Sequence, residues 1–187
     1  MTRIGGRRLG IRAAGGLALL AGAALLLWPG DEPGGLDALW SALAGPADEA
    51  AFSFDSPVRR TNPNDALACP ADRCRAATVD LVTPVYDVPP ERLRAIVVEV
   101  ATAEPGTALI DTPAEAHDRY LLRSRLLRFP DLVDVRILPQ GEGRSTLALY
   151  ARSRIGYWDF GVNRARLARW LKRIGAIAAQ ATPVSEG

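Results

Sequence analysis

One histidine, His117, and two cysteines, Cys69 and Cys74, are all that 187 residues offer to metal or thiol chemistry. A Cys-x4-Cys pair with a single histidine lacks both the spacing and the donors of a zinc site, and thiol exchange asks for the tighter Cys-x-x-Cys. There is no glycine-rich phosphate loop and no nucleophile elbow. His117 stands in a charged segment and is expected to face solvent. Ser124 and Ser153 share their strands with apolar neighbours and have no base at a readable spacing. No catalytic residue, metal or cofactor is therefore assigned, and the reading favours a binding or accessory protein over an enzyme. Lysine is nearly absent too, Lys172 being the only one, and a formal charge of +2 is too small to argue for nucleic acid. Internal repeats and low-complexity tracts are missing.

What the chain does have is an apolar run from Leu9 to Trp28, broken only by Arg12. Twenty helical residues at ~1.5 Å rise cover the ~30 Å hydrocarbon core, with Arg12 snorkelling to one interface and Trp28 anchoring the other. Arg3, Arg7, Arg8 and Arg12 precede the run while Asp31 and Glu32 follow it, so the positive-inside rule leaves the amino terminus in the cytoplasm and the rest outside. A cleaved signal peptide is the rival reading. Its best small-x-small site, Ala42-Leu43-Ala44, lies far beyond the apolar run, which favours an uncleaved anchor in the inner (cytoplasmic) membrane.

The expected organisation is a cytoplasmic tip and anchor over 1–28, a linker with a short amphipathic helix over 29–51, a globular domain over 52–180 and a tail over 181–187. Leu36, Leu39, Trp40 and Leu43 mark the short helix, whose face would lie on the outer leaflet or on the domain. Segment 52–77 reads as extended and aperiodic. Its Cys69 and Cys74 are expected to form a disulfide in an oxidising compartment.

Regular patterning starts at Thr78. A strand over 78–86 precedes a helix opened by Pro89-Pro90-Glu91, with Leu93, Ile96, Val97, Val100 and Ala101 on one face. Four more strands are predicted over 107–111, 120–129, 132–138 and 145–156, with turns at Pro130-Asp131 and Gly141-Glu142-Gly143. A last helix runs from Asn163 to about Ala179. The fold class is thus α+β: an antiparallel sheet of about five strands with both helices on one face, similar to helix-grip folds that enclose hydrophobic ligands.

The stretch Ser153-Arg154-Ile155-Gly156-Tyr157-Trp158-Asp159-Phe160-Gly161-Val162-Asn163-Arg164 joins a strand end, a two-glycine turn and a helix start. Together with Asn62-Pro63-Asn64, the Cys69 segment and Phe129-Pro130-Asp131, it resembles the domain of unknown function 1499 family over roughly 52–178. That resemblance implies a fold and a signature but no activity.

Two surfaces follow as candidates. Strand alternation puts Arg123 and Arg125 on one face, and Arg152 and Arg154 on one face, so consecutive hairpins can gather them into a basic patch for phosphate or carboxylate groups. Equally, they can form a solvated face paired with Asp118, Asp131 and Asp134. The second candidate is the signature turn. It reads either as a structural corner, with Asn163 capping the last helix, or as a ligand mouth in which Arg154, Asp159, Asn163 and Arg164 give polar contacts and Tyr157, Trp158 and Phe160 line the wall. On the last helix Arg166, Arg169, Lys172 and Arg173 are expected on a polar face with no acidic offset. The function expected is a membrane-tethered extracytoplasmic accessory or structural protein acting through a basic surface, its partners an anionic lipid, a small amphiphile or an envelope protein. The alternative is a binder of an amphiphilic anionic molecule in a cavity between sheet and helices.

Overall fold

Pro90 occupies the first turn of a helix, where its missing N–H leaves no bond unmade, and Leu93, Ile96, Val97, Val100 and Ala101 then recur at helical spacing on its buried side. This is helix α2 (Pro90–Thr102) of a computed structural model that describes residues 36–45 and 50–181. Before it come α1 (Leu36–Ala44) and strands β1 (Asp65–Cys69) and β2 (Leu81–Val82). After it come β3 (Thr107–Ala114), β4 (His117–Arg123), β5 (Pro130–Pro139), β6 (Ser145–Ser153) and α3 (Val162–Ala181). The expected span at 9–28 and most of the tail lie outside the described residues. Among the described residues no helix is long and apolar enough to cross a membrane.

The α+β class holds, with a sheet that is larger than expected and mixed. Six strands run in the order β2-β1-β6-β5-β4-β3, antiparallel throughout except for the parallel pair β1 and β2. Strand β1 lies inside the segment read as aperiodic. Ala66, Leu67, Ala68 and Cys69 are all fully buried, so both of its faces are apolar and no alternation betrays it. The strand expected over 78–86 shrinks to Leu81–Val82 and one bridge from Tyr86 to Ser145.

A second correction concerns the β4–β5 turn, which falls at 124–129 and not at Pro130-Asp131. Ser124 accepts the Phe129 amide on its hydroxyl at 2.9 Å and the Arg128 amide on its carbonyl at 3.0 Å, which closes the loop. Pro130 instead opens β5 opposite Arg123, a strand start where a missing donor is tolerated.

Both α2 and α3 pack on one sheet face. Their Leu93, Ile96, Val97, Leu167, Trp170 and Ile174 meet Ala66, Tyr120, Leu122, Val133, Val135 and Leu149. Each such aliphatic side chain stabilises the fold by about 1.5–3 kcal/mol relative to exposure. The other sheet face is covered by chain without regular structure. Phe52 stacks on Tyr150 with ring centroids 3.8 Å apart, and Phe54, Leu67, Cys69, Cys74 and Ala148 complete a second, smaller cluster.

Cys69 and Cys74 are joined in a disulfide, as expected, with Cα atoms 6.3 Å apart. It pins the loop after β1 to that cluster. Thiol labelling of the denatured, unreduced protein should therefore find no free thiol. Replacing both cysteines by serine should lower stability by about 2 kcal/mol in the chain-entropy description of a short loop, read from the denaturant midpoint. Two labelled thiols in the unreduced protein would contradict the bridge.

Candidate functional site

Three stretches remote in sequence meet at one end of the sheet. Strand β6 leaves at Ser153, β5 begins beside it at Pro130, and β1 begins just after Asn64. The ladder continues past the strand ends, because Arg154 donates its amide to the Pro130 carbonyl at 3.0 Å and Ser153 donates its amide to the Asn64 carbonyl at 2.9 Å.

From there the chain turns through 154–161 into α3. Gly156 and Gly161 have φ of 90° and 76°, as the two-glycine turn requires, and Phe160 joins them in the left-handed region at 54°. Asp159 holds this geometry. One of its carboxylate oxygens accepts the Gly161 amide and the other the Asn163 amide, each at 2.9 Å. Asp159 rather than Asn163 therefore caps α3, which corrects the expectation and accounts for a charge placed where the helix dipole is positive.

Asn163 does something else. It is fully buried, donates from Nδ2 to the Asn64 carbonyl and the Ser153 hydroxyl at 3.1 Å each, and accepts from Arg166 at 2.6 Å on Oδ1. Asn64 in turn donates to the Gly156 carbonyl at 2.7 Å. Two asparagines, one from Asn62-Pro63-Asn64 and one from the signature, thus clasp β1 to the turn.

Arg166 corrects the reading of α3 as a helix without acidic offset. It is buried, and its guanidinium reaches Asp131 at 2.9 Å, Glu104 at 3.2 Å and Asn163. Glu104 also accepts the Trp170 indole N–H at 2.7 Å. Burial pushes the Asp131 carboxyl above its ordinary range, and Arg166 and Ser153 offset only part of that shift.

The basic patch forms in outline but is spoken for. Arg123, Arg152 and Arg154 share the face opposite α2 and α3, while Arg125 lies in the 124–129 turn, beyond the strand and exposed. Arg123 pairs with Asp37 of α1 at 2.9 Å, and Arg128 reaches the same carboxylate. Arg154 donates to the carbonyls of Ala44 and Gly45, at 3.0 and 2.9 Å, where α1 ends. Trp40 packs on Phe129 with centroids 4.7 Å apart and donates its indole N–H to the Leu127 carbonyl. Helix α1 accordingly docks on the domain through Asp37 and Trp40, leaving Leu39 and Leu43 exposed.

Arg152 is buried against Asp134, with Nη1 2.5 Å from one carboxylate oxygen, and donates from Nη2 to the Ala50 carbonyl. The other oxygen of Asp134 accepts the Phe52 amide at 3.1 Å and lies 3.2 Å from Nε2 of His117 and 3.5 Å from Arg119. His117 is therefore buried, not solvent-facing, with Phe54 edge-on at 5.6 Å. Burial alone would raise the Asp134 pKa. His117, Arg152 and the Phe52 amide outweigh it and hold the carboxyl below its usual range. A shallow cleft of about 260 Å³ opens beside Arg152, lined also by Phe52, Ser53, Ser56, Arg60 and Tyr150.

Of the candidate residues, Arg123, Arg152, Arg154, Asp159 and Asn163 are thus internal fastenings. Tyr157, Trp158 and Phe160 are the opposite, exposed at 57%, 61% and 94%, with Arg125 and Arg164 also on the surface. Sequence reasoning missed Asn64, Glu104 and Arg166 as parts of this end. The only available signal was the Asn62-Pro63-Asn64 landmark itself. Among the described residues no group of three or more His, Cys, Asp or Glu side chains is placed to hold a metal ion.

No curated protein matches the chain. A family model does: residues 53–174 match the family described as "Protein of unknown function (DUF1499)", a span that includes Asn64, Asp131 and the whole signature turn, and the chain belongs to that family.

Proposed function

We propose that this protein is a membrane-tethered accessory or structural protein of the cell envelope, held by one N-terminal span with its domain outside the cytoplasm, and that its working surface is the signature end. The observation that carries this reading is the contrast at that end. Buried asparagines, carboxylates and arginines lock the scaffold, while aromatic side chains and Arg125 and Arg164 stand out from it. A fastened support under an exposed apolar and cationic surface suits contact with a partner. The Cys69–Cys74 disulfide supports an oxidising compartment.

The helix-grip likeness would favour the alternative, a ligand held between sheet and helices. That space is occupied by Tyr120, Leu122, Leu149, Leu167, Trp170 and their neighbours, which weighs for the accessory reading.

The test is topology. A reporter active only outside the cytoplasm, fused after Gly187, should be active, and the full chain should stay with membranes at alkaline pH. Activity of a cytoplasm-only reporter at the same position would overturn the reading. Native mass spectrometry of the detergent-extracted chain decides the alternative, since a retained small molecule of constant mass would favour the ligand binder.

A further inference from the structure

The exposed apolar residues are unevenly spread over the two ends of the sheet. At the signature end Leu43, Leu126, Tyr157, Trp158 and Phe160 are exposed at 68%, 75%, 57%, 61% and 94%. Tyr157 and Trp158 are edge-on to each other, with centroids 5.6 Å apart. The opposite end carries the β3–β4 turn at Glu115-Ala116 and the β5–β6 turn at Gly141-Glu142-Gly143-Arg144, where Glu115, Glu142 and Arg144 are exposed, and its exposed apolar side chains are the aliphatic Val82 and Val85, at 66% and 49%, with no aromatic among them. Three separate elements supply the apolar end: α1, the 124–129 loop and the 154–161 turn. Trp40, Arg123 and Arg154 bind them to one another.

Phe160 is not an accidental protrusion. Its backbone sits at a φ of 54°, a region that costs a residue with a Cβ of order 1 kcal/mol, and the Asp159 carboxylate, reaching past it to the amides of Gly161 and Asn163, keeps it there. The turn thereby presents a phenyl ring to the surroundings at 94% exposure. Such a ring needs a cover, and the chain says what lies nearby. Only seven residues, 29–35, separate the apolar run ending at Trp28 from Leu36 of α1. At ~3.5 Å per residue they reach ~25 Å at full extension. If 9–28 crosses the bilayer, α1 and the end on which it docks are therefore held close to the bilayer surface, with the charged turns pointing away. Arg125 and Arg164, exposed among the apolar side chains, suit headgroup phosphates, and tryptophan and tyrosine are the residues that settle at the lipid–water interface.

We infer that Tyr157, Trp158 and Phe160, with Leu43 and Leu126 beside them, insert into the headgroup region of the outer leaflet of the membrane that anchors the chain. The domain then stands on the bilayer by its signature end and does not swing freely on its linker. This rests on the tethered reading above and names the partner of that surface as lipid.

The experiment uses the full chain in vesicles of phosphatidylethanolamine and phosphatidylglycerol. Both native cysteines are bridged, so a nitroxide can be placed at Phe160→Cys and, separately, at Glu142→Cys on the far turn. Collision rates are then measured with oxygen, which concentrates in lipid, and with a water-soluble nickel chelate. The label at 160 should collide severalfold less with nickel and more with oxygen than the label at 142. Trp158→Cys is a second site, so the test survives if the 160 variant folds poorly. Equal, water-like rates at 158, 160 and 142 in a chain that resists alkaline extraction would overturn docking and leave the tether standing. Shielding from both reagents would also overturn it, in favour of a protein cover. A chain released at alkaline pH would overturn tether and docking together.

Discussion

Replacing Asp134 by alanine is expected to destabilise the domain by about 3–5 kcal/mol, the usual cost of removing one partner from a buried ion pair. Asp134 is completely buried and is the shared acceptor for Arg152, His117 and the Phe52 amide, with Arg119 paired to it at 3.5 Å. Its loss leaves the Arg152 guanidinium, itself almost wholly buried, with no carboxylate at 2.5 Å. Asp55→Ala is the control. Asp55 pairs with Arg136 at a side-chain exposure of 78%, so its removal should change stability by less than about 0.5 kcal/mol. Because a domain of this size is typically stable by only ~5–15 kcal/mol, the Asp134 variant should show a much lower denaturant midpoint and the control should not. Similar midpoints for the two variants would mean that the cluster does not hold the sheet.

The same residue sets a pH dependence. The folded-state pKa of Asp134 is depressed below 3.8, so its contribution is present above that value and is lost as pH falls through the folded pKa. Asp131 has the opposite sign, because its folded pKa is raised. Its contribution is largest below 3.8 and declines as pH rises through the folded value. Acid destabilisation below pH 3.8 should therefore weaken in Asp134→Asn, whereas Asp131→Asn should abolish the gain in stability that Asp131 gives as pH falls towards 3.8 from above, both read from denaturant midpoints across pH. The Phe52 amide also ties the chain between α1 and β1 to the sheet, so Asp134→Ala should expose 50–58 to protease before the domain unfolds globally.

What the sequence made legible follows periodicity. Leu93, Ile96, Val97, Val100 and Ala101, and Leu167, Trp170 and Ile174, repeat at helical spacing, and both helices pack where that spacing places them. Strand β1 was illegible because a strand buried on both faces has no alternation, and five residues are too few to separate it from a loop. The overrun of β4 has a different cause. From Arg123 to Phe129 no glycine or proline marks a turn, and only the Ser124 hydroxyl bond to the Phe129 amide shows that the chain has already turned. Charge pairing was the least readable. Arg152 and Asp134, like Arg166 and Glu104, are brought together by register and helix docking, which no local spacing encodes. Of the arginines expected in a binding patch, Arg152 directs its charge at the buried Asp134, Arg123 at Asp37 of α1, and Arg154 at the carbonyls that end α1.

The signature supplies the second large effect. Reading Asn163 as a helix cap predicts a loss of about 1 kcal/mol on Asn163→Ala. Its bonds predict more, about 2–3 kcal/mol, because truncation removes one of the two donors to the Asn64 carbonyl, takes the Asn163 donor from the Ser153 hydroxyl and removes an acceptor from the buried Arg166. Asp159→Ala is the comparison, since Asp159 is the residue that caps α3 and lies on the partly exposed side of the turn. That variant should cost about 1 kcal/mol, and by releasing the Gly161 amide it should loosen the presentation of Phe160 while the clasp between β1 and β6 stays shut. Asn163→Ala should do the reverse. It parts the clasp, so amide exchange should accelerate at Ser153, whose own amide bonds the Asn64 carbonyl, by more than at the cap. Stability measurements rank the two variants and exchange locates the damage. Should Asn163→Ala prove no more costly than Asp159→Ala, with Ser153 still protected, the asparagine clasp would not be what fastens the signature turn to the sheet, and Asp131 with Arg166 would be left as the fastening at that end.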